Sequence, residues 1–153
     1  MNLPLLSIIV FAPLVAALVL VFVPSSARST TRIVAVASAI VSLIGSLIVA
    51  VGFQPGGGYQ FREKYPIIES IGINLELGVD GWGVSLLLLT SIIMFAGSFA
   101  TWTLKERDKE FYILLLALVC GVYGVFVSLD LFVFFLFYEI AVLPMYLLIG
   151  VWG

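Results

Sequence analysis

Leu131-Phe-Val-Phe-Phe-Leu-Phe-Tyr-Glu-Ile-Ala-Val-Leu-Pro-Met-Tyr-Leu-Leu-Ile-Gly150 is an almost wholly apolar run with one ionisable residue, Glu139, near its middle. A helix needs about 20 apolar residues to cross a bilayer, and this stretch supplies them. A carboxylate at that depth costs roughly 2.5–3.5 kcal/mol on insertion scales. Nothing else in the segment offers an obvious compensation. An ionisable side chain kept inside a membrane helix is, by default, a candidate functional group.

The rest of the chain has the same character. Of its 153 residues, 63% are hydrophobic, 10% are charged and none is His. Its mean hydropathy is +1.25. Soluble domains run near half apolar and a quarter charged, so this composition belongs to a membrane protein. The net charge of -2 carries little information, because the charges lie between the apolar stretches. Cys120 is the single cysteine, which excludes an internal disulfide. Without His or Cys clusters, haem, iron–sulfur and zinc sites are not expected. Gly56-Gly57-Gly58 follows Pro55 and is not continued by a Lys-Ser/Thr pair, so it is not a phosphate loop. The lipid bilayer is an expected partner, and nucleic acid is not.

Five spans are predicted, over 3–23, 33–53, 82–104, 111–128 and 131–150. The first is read as a retained helix rather than a cleaved signal, since no basic residue precedes it. Arg28 and Arg32 are expected to flank a short Ser/Thr-rich connection. In the second span Ser38, Ser42, Gly45, Ser46 and Val49 recur at helical spacing, which suits a packing face better than a polar pore. Residues 54–81 form the one long polar segment. Ile73 to Asp80 alternates apolar and polar residues as a strand does. Phe61 to Ile68 is its candidate partner, although Pro66 weighs against a strand. Trp82 and Trp102 fall near the ends of the third span, where aromatic rings favour the interface. Lys105 to Glu110 reads as solvated surface. Residues 111–150 are too long for one span and suit two. Gly121 and Gly124 are expected to mark close helix packing. Asp130 is placed to cap the fifth helix, with proton handling as the other reading. The expected fold is an all-α membrane protein of about five helices, one membrane domain over 1–153, with a small external β-hairpin between helices 2 and 3.

Lys and Arg set the expected orientation. The connections after helices one and three carry Arg28, Arg32, Lys105, Arg107 and Lys109, against Arg62 and Lys64 in the 54–81 segment. The bias puts the first group in the cytoplasm, with the N-terminus and hairpin outside and the C-terminal end inside.

All seven basic residues fall in expected loops, so Glu139 has no cationic partner at its own depth. It should be neutral until a cation or water arrives, and can then exchange a proton. The alternative is a permanently protonated Glu that hydrogen-bonds a neighbouring helix. Pro144 cannot donate to the Ile140 carbonyl and should kink the helix there. The freed carbonyl lies beside the carboxylate, and Tyr146, two turns on, could join through water.

Phe137-Tyr-Glu-Ile-Ala-Val-Leu-Pro-Met-Tyr-Leu-Leu-Ile-Gly-Val-Trp-Gly153 resembles the fifth helix of the antiporter-like subunits of respiratory complex I, nearest to the subunit M (chain 4) family of NADH–quinone oxidoreductase. Gly78-Val-Asp-Gly81 before a span resembles that family's entry into helix three. Glu139 paired with Pro144, and the terminal Trp152-Gly153, favour the M family over its L and N relatives. The resemblance implies that Glu139 is the family's essential glutamate and that the chain is the first part of a longer one. The end at Gly153, with no polar tail, suggests the same truncation. The family's partner lysine, on its seventh helix, would lie beyond. The implied activity is proton translocation coupled to NADH oxidation and quinone reduction, with neighbouring antiporter-like subunits as partners in the inner (plasma) membrane. NADH and quinone would be used by the complex, and no redox cofactor would be bound by this chain. A subunit of a multisubunit cation/proton antiporter is the alternative, and a purely structural membrane subunit is a third.

Overall fold

The computed structural model describes residues 4–103 and 107–153. Leu3, Leu104, Lys105 and Glu106, which figure in the expected spans and the charged loop, lie outside the described residues. The elements are α1 (Leu5–Phe22), α2 (Arg28–Gly52), β1 (Gln60–Ile68), β2 (Ile73–Val79), α3 (Gly81–Ala100), α4 (Asp108–Val127) and α5 (Leu131–Trp152). All five helices are long and apolar enough to cross a membrane, with mean hydropathies between 2.0 and 3.0. At 1.5 Å per residue they measure about 27 to 38 Å, which matches a hydrocarbon core of about 30 Å.

α4 is the centre of the bundle and packs against each of the other four helices. Its Tyr112 and Tyr123 are the largest fully buried side chains. α5 leans mainly on α4 and is the least buried span. Between membrane helices lipid removes the hydrophobic drive, so close packing of small residues does the work. α2 shows this: Ala35, Ser38, Ala39, Ser42, Gly45 and Ser46 form its buried face. The outward faces are apolar, with Phe22, Val51 and Ile33 among the most exposed side chains.

The strands pair antiparallel, with Gln60 opposite Val79, Lys64 opposite Glu76 and Tyr65 opposite Leu75. Pro66 stands opposite Asn74, and the register shifts immediately after it, which is how a strand accommodates a residue without an N–H. A one-turn helix, Glu69–Ile71, and Gly72 in the left-handed region (φ 74°) reverse the chain.

Several boundaries differ from the sequence reading. α2 starts at Arg28 rather than near Ile33, because the Ser/Thr-rich connection is itself helical. The Thr31 amide and hydroxyl both donate to the Ala27 carbonyl, at 3.1 and 3.2 Å. Arg28 and Arg32 are therefore on the first turns of a helix and not in a loop. Lys109 is likewise inside α4, and Arg62 and Lys64 are in β1. What holds is that, among the described residues, no basic side chain sits in the middle of a span.

Candidate functional site

One side of the bundle gathers the N-termini of α1, α3 and α5 under the hairpin. Each has four backbone N–H groups without helical partners. β1 reaches α1: the Glu63 carboxylate accepts from the Leu6 amide at 2.8 Å, the Ser7 amide at 3.4 Å and the Ser7 hydroxyl at 2.6 Å. Asp80, directly after β2, caps α3 by accepting from the Gly83 amide at 2.8 Å. Asp130 caps α5, accepting from Phe132 at 2.9 Å and Val133 at 3.2 Å. Its other oxygen accepts from the Asn74 amide of β2 at 3.3 Å. The Val133 N–H first, then that of Asn74 and more weakly that of Phe132, hold the Asp130 carboxyl below its usual range, while partial loss of water works against them. Just before this cap the Leu129 amide donates to the Glu76 carbonyl at 2.8 Å, and Leu77 bridges to Ser128. The hairpin is thus bolted to the start of the helix that carries Glu139.

Glu139 lies on the exposed side of α5, away from the bundle. Phe135, Leu136, Val142, Leu143 and Tyr146 share that side, and Tyr146 is 72% exposed. The opposite side of α5 buries Val133, Phe137 and Pro144. The four singled-out residues therefore separate. Glu139 and Tyr146 face outward, Pro144 faces inward, and Asp130 serves the N-terminus. Among the described residues, no hydrogen bond or ion pair is found for Glu139. α5 runs unbroken through Pro144. The ring still deprives the Ile140 carbonyl of its helical donor, so an open acceptor follows Glu139 directly.

The bundle interior holds a second polar feature that sequence reasoning treated only as packing. Ser46 of α2 hydrogen-bonds Ser91 of α3 at 2.6 Å, and Ser91 hydrogen-bonds Tyr123 of α4 at 2.7 Å. Ser46 also approaches the Ser42 carbonyl at 2.8 Å, and Ser42 donates to the Ile9 carbonyl of α1 at 3.1 Å. This string of hydroxyls ties four helices together.

At the far end of the bundle Asp108 is buried, contrary to its expected place on solvated surface, and its carboxylate lies 3.9 Å from the Arg28 guanidinium. Lys109 donates to the last-turn Val21 carbonyl of α1 at 3.2 Å. Arg32 and Arg107 stand over the rings of Trp102 and Trp152, each 5.9 Å from the centroid. Of the residues missed, Asp80 was findable, since an Asp directly before a helix start is a cap signal. Glu63 was not, because its partners are more than fifty positions away. Among the described residues no group of His, Cys, Asp and Glu could hold a metal.

No protein-family model matches the chain. Single relatives do. The chain is 40% identical over 155 residues to NADH-quinone oxidoreductase subunit M of Rhodobacter capsulatus, covering 97% of this chain and 30% of the relative. It is 39% identical over 155 residues to NAD(P)H-quinone oxidoreductase chain 4 1 of Nostoc sp., covering 98% of this chain and 28% of the relative. The chain thus spans less than a third of the length of these relatives. Its fold matches a chain of respiratory complex I from Thermus thermophilus, with a TM-score of 0.79 at 23% identity over 97% of this chain and 29% of that one. A chain of the membrane-bound sulfane sulfur reductase, an archaeal respiratory membrane complex, gives a TM-score of 0.82 at 17% identity over 97% of this chain and 23% of that one. At those identities the two structures speak for the fold alone.

Proposed function

We propose that this homologue of NADH–quinone oxidoreductase subunit M (chain 4) is one membrane domain of a longer proton-translocating subunit, and that Glu139 is its proton-exchanging group. The observation that carries the reading is a carboxylate in mid-span, on an outward face, with no counter-charge at its depth among the described residues. Such a group is costly unless it is used. A cation brought close to it favours the ionised form and drives its proton off; withdrawal of that cation brings the proton back. The family resemblance assigns the approaching charge to a lysine two helices further on, which would meet α5 on the side where Glu139 and Tyr146 stand.

NADH oxidation and quinone reduction belong, on this reading, to other subunits, and this chain binds no redox cofactor. Its partners are the neighbouring membrane subunits. The protein lies in the inner (plasma) membrane. The hairpin and the N-termini of α1, α3 and α5 are outside, and the Arg28–Asp108 end is cytoplasmic. Five of the seven basic residues support this orientation. Pro144 and Tyr146 assist Glu139 by offering it an open carbonyl and, through water, a hydroxyl. Asp130 holds the helix start in place.

The test is Glu139→Gln in the full-length protein within the assembled complex. Proton translocation should fall to a small fraction of the wild-type level with assembly intact. Normal translocation by a fully assembled variant would falsify the assignment.

A further inference from the structure

The direction in which Glu139 points is set by α4. With 3.6 residues per turn, Phe137 and Ala141 each lie about 160° round the α5 axis from Glu139, one on either side of the diametrically opposite line. Those two residues meet Gly121 and Gly124 of α4. A Cβ on Gly121 would stand 2.5 Å from the Ala141 nitrogen and 2.8 Å from both the Ala141 Cα and the Phe137 carbonyl oxygen. A Cβ on Gly124 would fall within the Phe137 ring. Backbone lies against backbone at the first glycine, and a ring lies on bare backbone at the second. Beyond the hairpin contacts at its first turn, α5 packs mainly on α4, so along its length the α4 face sets its rotation.

We infer that Gly121 and Gly124 are positioning residues for proton exchange: their missing side chains fix the rotation of α5 that aims Glu139 out of the bundle. The inference rests on the proposed role of Glu139. Neither glycine touches the proton, and each acts through α5. The two differ in kind. At Gly121 the obstacle to a methyl group is main chain, so only a shift of α5 can make room. At Gly124 the obstacle is one side chain, which can be trimmed.

The experiment uses the full-length protein in its assembled complex and reads two quantities. One is protons translocated per NADH oxidised. The other is the infrared band of the Glu139 carboxyl, identified by its disappearance in Glu139→Gln. Gly121→Ala should shift the band and lower translocation severalfold. Gly124→Ala should do the same, and Gly124→Ala with Phe137→Leu should restore both quantities. Phe137→Leu should not rescue Gly121→Ala. Gly150→Ala, on α5 itself, is the control, since a Cβ there meets nothing within 4 Å, and it should leave both quantities at wild type. An unshifted band with full translocation in assembled Gly121→Ala overturns the inference. If that variant does not assemble, an unshifted band in Gly124→Ala overturns it. Normal translocation in Glu139→Gln instead defeats the role of Glu139, while the band shift still reports whether the glycines set α5.

Discussion

Two carboxylates nine positions apart in α5 and its cap show how one chemical group takes opposite roles. Asp130 stands where backbone N–H groups converge, and it is satisfied by three of them. Glu139 has no such donors, because helical N–H groups in mid-span are already bonded to carbonyls. Asp130 in the folded protein is held below the ordinary value of 3.8. Its stabilising contribution is therefore complete above that ordinary value, and it is lost as pH falls through the lower folded-state value. Hydrogen exchange can follow this at the Asn74, Phe132 and Val133 amides. Protection beyond the intrinsic rate should drop as the solution is acidified through that range. Asp130→Ala should lower protection at all three amides at neutral pH and remove the acid dependence. The cap could be read from the sequence, because Asp130 directly precedes a helix, and Glu139 stood out there because it interrupts an apolar run. The sequence does not say which way Glu139 faces. That depends on the two glycines of α4, whose partners are set by tertiary packing.

Among the elements, the hairpin does more than join two spans. Glu63 of β1 caps α1, Asn74 of β2 binds the α5 cap, and Asp80 begins α3. Arg62 and Glu76 pair across the two strands and hold them in register. Replacing Glu63 with Ala should cost about 1 kcal/mol, the usual loss for a helix cap. The loss should appear as faster exchange of the Leu6 and Ser7 amides, with the rest of α1 unchanged. If the whole of α1 loosened equally, the carboxylate would be holding the helix against the bundle rather than capping it. The alternation in Ile73–Asp80, with Phe61–Ile68 as its candidate partner, was enough to place a hairpin. Its anchoring was hidden, because a Glu in a strand looks solvated until its long-range partner is known. The early start of α2 was hidden for a related reason: Ser and Thr favour turns and caps in isolation, and here the Thr31 hydroxyl bonds back to Ala27 and continues the helix.

The whole molecule is lopsided. α4 touches each of the other four helices, while α5 carries a long apolar wall with one carboxylate in it. A lone chain of this length would leave that wall to lipid, although its relatives run to more than three times the length. Tyr146 should therefore be labelled at a high rate by a photoreactive carbene precursor dissolved in the lipid in the 153-residue chain alone, and at a low rate in the full-length protein. Equal rates would mean that further chain does not cover this face. Sidedness can be checked with impermeant reagents. Gly57→Cys should label from outside the cell and Ser26→Cys only after the membrane is opened. The helix count and the hydropathy of each span are properties of composition, and so the sequence carried them plainly. The wall on α5 was not readable there, because that span, Glu139 aside, looks apolar all round and only assembly decides which face finds a neighbour.

The hairpin also imposes a schedule on manufacture. Leu6 waits for a carboxylate 57 positions later in the chain, and Asn74 waits for one 56 positions further on. At 5–20 residues per second each wait lasts roughly 3 to 11 s. The first helix must therefore enter the bilayer with its amino end open, and it is closed off only when β1 emerges from the ribosome. The hairpin then holds an empty place until the fifth helix arrives to fill it. The same few residues that fasten the finished protein thus act twice during synthesis, first as a clasp for what has been made and then as a template for what is still to come.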